Sequence, residues 1–71
     1  MISTFGKNLK KIRTQKGVSL SEIASGSGVG EALLNSIEIG EKRPPLSYPI
    51  VLLIADILEV NVKELIDIKQ N

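Results

Sequence analysis

Residues 19–40, SLSEIASGSGVGEALLNSIEIG, decide the fold of this chain. Ser19, followed three residues later by Glu22, is typical of a capping box that opens a short helix. The segment SGSG at 25–28 holds poor helix formers, so we expect this helix to end near residue 26. A second helix is predicted over about residues 31–39, where Gly40 ends it.

Small and apolar residues in this stretch have the spacing of two steeply crossing helices joined by a short turn. Counting from Leu20, Ala24 is the fifth residue and lets the helices approach, and Gly28 is the ninth and can adopt a left-handed conformation. Branched apolar residues occupy the tenth, fifteenth and eighteenth places: Val29, Leu34 and Ile37. The pattern predicts a helix-turn-helix, which the rest of the chain supports.

The composition excludes several classes of protein. The chain has 71 residues, 42% of them hydrophobic, so one small domain with a packed core is expected over residues 1–71. It contains no cysteine and no histidine, which argues against a disulfide scaffold, a structural zinc site and an enzyme that uses nucleophilic or metal chemistry. No signal peptide or membrane span is predicted, and the expected compartment is the cytoplasm. No cofactor, metal site or small-molecule ligand is predicted.

The distribution of charge is more informative than its net value of +1. Residues 1–21 contain five basic side chains and no acidic one, whereas residues 22–41 contain four glutamates. Lys42 and Arg43 then add two positive charges. The basic first helix and this pair predict a rim that faces phosphates. The alternative is a solvated first helix that simply carries lysines.

Hydrophobic periodicity predicts an all-α fold of five short helices with no strand. The expected helices cover about residues 3–16, 20–26, 31–39, 48–58 and 62–67. In the first, Phe5, Leu9 and Ile12 form one stripe that faces a core. Arg13 lies at the edge of this stripe, so we expect it to be partly buried and to need an anionic partner.

The fourth helix is apolar on nearly every side, since IVLLIADIL contains Asp56 as its one polar residue. An amphipathic surface helix needs about half as many apolar residues. Either the other helices surround it, or one of its flanks meets a partner. Ser47 is its predicted N-cap, and Tyr48 is predicted to pack at its start.

Four segments, in this order and at this spacing, resemble the Cro/C1-type (XRE) family of helix-turn-helix DNA-binding domains. They are FGKNLKKIRTQKGVSLSEIA, GSGV, LLNSIEIGEKRPP and IADILEVNVKELI, and the resemblance covers residues 5–66. It implies a lambda-repressor-like domain of five helices, with the helix-turn-helix at helices 2 and 3. It also implies a dimeric repressor or controller protein that binds a palindromic operator in double-stranded DNA through helix 3.

The resemblance implies a role for individual residues. Bases would be faced by the outward side of helix 3, which is formed by Glu31, Ala32, Leu33, Asn35 and Ser36. Phosphates would be met at the start of helix 2 and in the loop after helix 3, by Ser19, Leu20, Lys42 and Arg43. Arg13 would form a structural salt bridge with Glu38. Leu53 is expected in a homodimer interface, because the family often has a polar residue there.

The sequence also departs from the family pattern. Leu20 replaces a common glutamine whose side chain reaches a phosphate, and leucine neither donates nor accepts a hydrogen bond. Helix 3 begins with Glu31 and Ala32 where the family often has arginine, lysine or glutamine. An alternative function also stays open, a protein-interaction module of the same fold with weak or lost DNA binding. Its support is Glu31 and Leu33 on the groove-facing side of helix 3 and the apolar excess of the fourth helix.

Overall fold

A computed structural model describes residues 3–41 and 46–66 of the chain. Within these ranges it contains five α-helices and no strand. The helices are α1 (Ser3–Lys16), α2 (Leu20–Ser27), α3 (Glu31–Glu38), α4 (Tyr48–Leu58) and α5 (Val62–Leu65). The predicted all-α fold of five helices is therefore confirmed.

All five helices contribute side chains to one hydrophobic core. The largest fully buried side chains are Leu9, Ile23, Leu34, Ile37, Ile54, Leu58 and Leu65. The stripe predicted on α1 faces this core, since Phe5 and Ile12 are buried together with Leu9. α1 packs against α3 and α5, and α2 packs against α3 and α4. The core thus holds the helix-turn-helix between the first and fourth helices.

α2 continues one residue beyond the predicted end. The buried hydroxyl of Ser27 donates to the carbonyl oxygen of Ile23 at 2.7 Å and accepts from the backbone N–H of Val29 at 3.2 Å. Ser27 therefore satisfies its own polar group and that of the turn, which offsets its weak helix propensity. The turn begins at Gly28, whose φ of 81° is the left-handed conformation that glycine adopts without strain.

α3 ends in a Schellman motif. The N–H of Gly40 donates to the Ile37 carbonyl at 3.1 Å, and the N–H of Glu41 donates to the Ser36 carbonyl at 2.9 Å. Gly40 has a φ of 81°, as this motif requires. Two predicted ends were too late: α3 stops at Glu38, and α5 stops at Leu65 because the backbone becomes extended at Ile66.

Two glycines that the sequence pattern did not explain allow close helix contacts. A Cβ atom on Gly6 of α1 would overlap the carbonyl oxygen of Ile37 in α3. A Cβ atom on Gly26 of α2 would lie 2.7 Å from the Cδ1 atom of Ile57 in α4. The first contact is backbone against backbone, so it fixes the distance between α1 and α3 more strictly than a side-chain contact does.

Candidate nucleic-acid interface

The start of α2 is held by a reciprocal capping box. The Ser19 hydroxyl accepts from the N–H of Glu22 at 3.1 Å, and the Glu22 carboxylate accepts from the N–H of Ser19 at 2.9 Å. This pair satisfies two of the backbone donors that a helix start leaves open. The N–H groups of Leu20 and Ser21, in the first turn, are left to bind water or a ligand.

The outward side of α3 is an exposed surface of mixed polarity. Glu31, Ala32 and Asn35 are exposed, whereas the opposite side of the helix buries Leu34 and Ile37. The base-facing residues predicted from the resemblance thus fall into two groups, because Leu33 and Ser36 are only half-exposed. Three of the five predicted side chains stand fully on the outer surface.

Leu33 and Leu20 both pack against the hydrophobic core. Leu20 stands where the family commonly has a phosphate-binding glutamine, and its packing gives the leucine a structural role there. Any hydrogen bond from this position to a phosphate must therefore come from the backbone N–H.

Arg13 and Glu38 form the salt bridge that the resemblance implied. The Arg13 Nε donates to Oε2 of Glu38 at 2.8 Å and Nη2 donates to Oε1 at 2.9 Å, a bidentate pair. Nη1 donates to the carbonyl oxygen of Val18 at 3.0 Å. The side chains are 15% and 3% exposed. Hydrogen bonding to the Glu38 carboxylate raises the pKa of the Arg13 guanidinium above its already high ordinary value.

This salt bridge joins three parts of the helix-turn-helix support. Arg13 belongs to α1, Val18 directly precedes the capping residue of α2, and Glu38 is the last residue of α3. Partial burial strengthens the charge-assisted hydrogen bonds and makes loss of either partner costly. The pair therefore fixes the end of α3 relative to the start of α2.

Glu22 places a negative charge at the start of α2, and the sequence-based prediction of phosphate contacts there did not include this charge. Its carboxylate lies 2.9 Å from the Ser19 nitrogen and 3.4 Å from the Ser19 hydroxyl oxygen, at the helix end where a phosphate would bind. A phosphate bound there would lie beside a negative charge. The capping-box spacing was itself the signal that could have shown this.

The loop after α3 is described up to Glu41, which is exposed. Lys42 and Arg43, the two phosphate contacts predicted there, lie outside the described residues. So does the PP pair at 44–45.

One flank of α4 is apolar and exposed. Tyr48 is 57% exposed, and Leu52 and Leu53 are 43% and 42% exposed. The opposite side of the helix buries Ile54 and Leu58 in the core. Of the two alternatives for this helix, the one in which the other helices surround it is wrong. Tyr48, which was predicted to pack at the start of the helix, is mostly exposed.

Residues 3–41 and 46–66 contain neither a membrane-spanning helix nor a metal-binding cluster. None of the helices in these ranges is long and apolar enough to cross a membrane. No group of three or more acidic side chains there is placed to hold a metal ion.

Comparisons with known proteins agree with this arrangement. A helix-turn-helix family model matches residues 9–65. The HTH-type transcriptional regulator SinR of Bacillus subtilis is 38% identical over 64 residues, and that of Bacillus licheniformis is 36% identical over 64 residues. Each match covers 90% of this chain, and the chain spans 57% of the length of either regulator.

A solved structure has the same fold over nearly its whole length. It is the restriction-modification controller protein C.AhdI from Aeromonas hydrophila, at a TM-score of 0.77 and 29% identity. The match covers 92% of this chain and 96% of the controller protein. Because the family model matches most of this chain, the chain belongs to the helix-turn-helix family. The resemblance to Cro/C1-type domains predicted this membership.

Proposed function

We propose that this chain is the DNA-binding domain of a sequence-specific transcriptional regulator that acts as a dimer. The observation that carries the proposal is the exposed outer side of α3, which lies next to the open N–H groups at the start of α2. The Arg13–Glu38 salt bridge holds these helices in place. An α-helix fits the major groove of B-form DNA, where base pairs are distinguishable. Such a regulator would act in the compartment that contains the DNA, here the cytoplasm.

Asn35 is the strongest candidate for direct base recognition. Its exposed amide can bond adenine through the N6 and N7 atoms, which is the usual pairing for asparagine. Ala32 suits a thymine methyl group, and the Glu31 carboxylate suits the N4 amino group of cytosine. The half-exposed Ser36 and Leu33 would contribute at the margin of the contact.

Phosphates would be held on both sides of this helix. At the start of α2, the backbone N–H groups of Leu20 and Ser21 are suited to a phosphate oxygen, with the Ser19 hydroxyl beside them. Lys42 and Arg43 would supply positive charge on the other side. These contacts orient the domain and carry no sequence information directly.

The exposed flank of α4, formed by Tyr48, Leu52 and Leu53, is the proposed homodimer interface. Tyr48 and Leu52 lie four residues apart and so share one face of the helix. A two-fold interface buries the same patch on both copies and places two α3 helices on successive half-sites. The unpartnered leucines at the middle of this flank support the proposal.

Binding to genomic DNA fragments across a salt series tests the proposed function. A site-selective complex whose affinity falls steeply with salt is expected, because each phosphate contact releases counterions. The competing function, a protein-interaction module, is favoured by Glu31 and by the exposed α4 flank. Absence of any preferred fragment at low salt would select that function and reject the regulator.

Replacing Lys42 and Arg43 together by alanine should weaken binding to all sequences and reduce the salt slope by about 1 for each lost contact. Titration of the preferred site and of unrelated DNA, each at several salt concentrations, measures this. Weakening confined to the preferred site would contradict a phosphate-binding role.

Asn35→Ala should instead change which site is preferred, because it removes a base contact worth about 1–3 kcal/mol of discrimination. Selection from a random-sequence DNA pool measures the preference, with the exposed Gln15→Ala on α1 as a matched control. An equal loss on every sequence would argue against direct recognition by Asn35.

A further inference from the structure

We propose that α1 carries a second DNA-contacting surface, the α1 lysine face, formed by Lys7, Lys10 and Lys11. These side chains would bind backbone phosphates beyond those met by the helix-turn-helix, and so lengthen the footprint along the duplex. The inference rests on the proposed function, since it assumes that the domain binds DNA.

The three lysines are grouped by the packing of α1 on α3. All three are exposed and, with Asn8 and Glu38, they line one open depression on the surface. The contact of Gly6 with the Ile37 carbonyl places this part of α1 directly beside the last turn of α3. The lysine face therefore adjoins the helix that would enter the major groove.

The charge of this face is not neutralised by its one acidic neighbour. Both carboxylate oxygens of Glu38 are engaged by Arg13, at 2.8 and 2.9 Å. Arg13–Glu38 is the one ion pair among residues 3–41 and 46–66, and no lysine side chain in these ranges donates a hydrogen bond. Among the described residues, no carboxylate pairs with any of these three lysines.

The chemistry of the face favours DNA over an acidic protein. Protein interfaces are depleted in lysine and are built around buried aromatic or aliphatic side chains. The exposed large hydrophobic side chains of the described residues are Ile39, Tyr48, Leu52 and Leu53, and none of them belongs to α1. A row of lysines without apolar anchors suits the point charges of a phosphate backbone.

A structural role for these lysines makes a different prediction. Cations beside the last turn of α3 offset the partial negative charge of its carbonyl groups. In that case their removal would lower the melting temperature and leave the salt dependence of DNA binding unchanged. The two roles are therefore separable by experiment.

The test compares the triple variant Lys7→Ala/Lys10→Ala/Lys11→Ala with the wild-type chain on its preferred DNA fragment. Between 50 and 200 mM salt, one phosphate contact weakens binding about 3.5-fold and three weaken it about 40-fold, from a slope of about −0.9 each. Raising the salt over this range weakens binding by a certain factor for the wild type. For the triple variant this factor should be about 40 times smaller. Phosphate-ethylation interference should show fewer contacted phosphates at the ends of the footprint.

Two controls keep the result specific. Lys63→Ala removes one exposed charge from α5 and should leave the slope unchanged. The triple Lys→Arg variant keeps the charges and should retain both the slope and the ethylation pattern. If the alanine triple fails to fold, each single alanine variant should still lower the slope by about 0.9.

The outcomes separate this inference from the proposed function. A wild-type chain without any site-selective, salt-dependent complex overturns both. A wild-type complex whose salt slope and ethylation pattern are the same in the alanine triple overturns the lysine face alone. So does a loss of slope in Lys63→Ala as large as that in a single alanine variant of the lysine face, because net charge rather than position would then explain the change.

Discussion

Two regions of the molecule carry residues whose polarity is unexpected for their position on a helix. They are the junction between α1 and α3 and the outer flank of α4. At the junction, a charged residue, Arg13, borders an apolar stripe. On α4, apolar residues continue onto the side where a surface helix is usually polar. The structure resolves the first case within the chain, because Glu38 and the Val18 carbonyl satisfy the guanidinium. It leaves the second open, since Leu52 and Leu53 remain exposed.

This difference separates residues that stabilise the domain from residues available for function. The junction is a satisfied, close contact, so a change there should lower the free energy of unfolding. The side chains of the α4 flank are about half exposed, so a change there should alter association more than it alters stability.

Arg13→Ala should have the largest effect, a loss of about 3–5 kcal/mol in the free energy of unfolding. The substitution leaves the Glu38 carboxylate, which is 3% exposed, without its charged partner. Urea denaturation followed by circular dichroism measures the loss. Lys11→Ala, which removes an exposed charge from the same helix, should change stability by less than about 0.5 kcal/mol.

The double variant Arg13→Met/Glu38→Leu provides the matching control, because it removes both charges together. It should be more stable than Arg13→Ala, since no buried charge is left unpaired. Equal destabilisation of the two variants would indicate that lost packing, rather than the unpaired carboxylate, explains the effect.

Gly6→Ala should have the next largest effect, a loss of about 1–3 kcal/mol. Alanine normally stabilises a helix interior relative to glycine by about 0.5–1 kcal/mol, but here its Cβ would overlap the Ile37 carbonyl oxygen. Gly26→Ala is the matched control, because the nearest atom there is the flexible end of Ile57. Thermal melts compare the two, and a stabilising Gly6→Ala would disprove the backbone contact.

Leu53→Glu should have the smallest effect on stability, less than about 0.5 kcal/mol, because the side chain is 42% exposed. It should nevertheless convert the proposed dimer into monomer, since it places a charge in the proposed interface. Sedimentation velocity measures the association, with Asp56→Asn on the same helix as the control. A variant that remains dimeric would place the interface elsewhere.

Much of the fold was predictable because it depends on local chemistry. The spacing of Ser19 and Glu22 specified the start of α2, and Gly28 and Gly40 specified the two turns. The errors at helix ends were also local in origin. Propensity alone ended α2 before Ser27, whereas the buried hydrogen bonds of that residue extend the helix.

The candidate site was less predictable, because exposure depends on how the helices pack. Glu31, Ala32 and Asn35 lie fully on the outer side of α3, but Leu33 also packs on the core. Sequence spacing places these residues near one another without measuring how much of each side chain reaches solvent. The spacing of Ser19 and Glu22 predicted the capping box, but it did not show that the carboxylate of Glu22 adjoins the proposed phosphate contact at the start of α2.

Sequence alone determined the helix-turn-helix at residues 19–40, since capping, turn glycines and apolar spacing act over a few residues. It also determined that Arg13 needs an anion, because a guanidinium beside an apolar stripe requires a partner. Only the tertiary structure decided the contact of Gly6 with α3, the grouping of Lys7, Lys10 and Lys11 beside Glu38, and the exposed flank of α4. These features arise between helices distant in the chain, where the physical determinant is the packing of the core rather than local propensity.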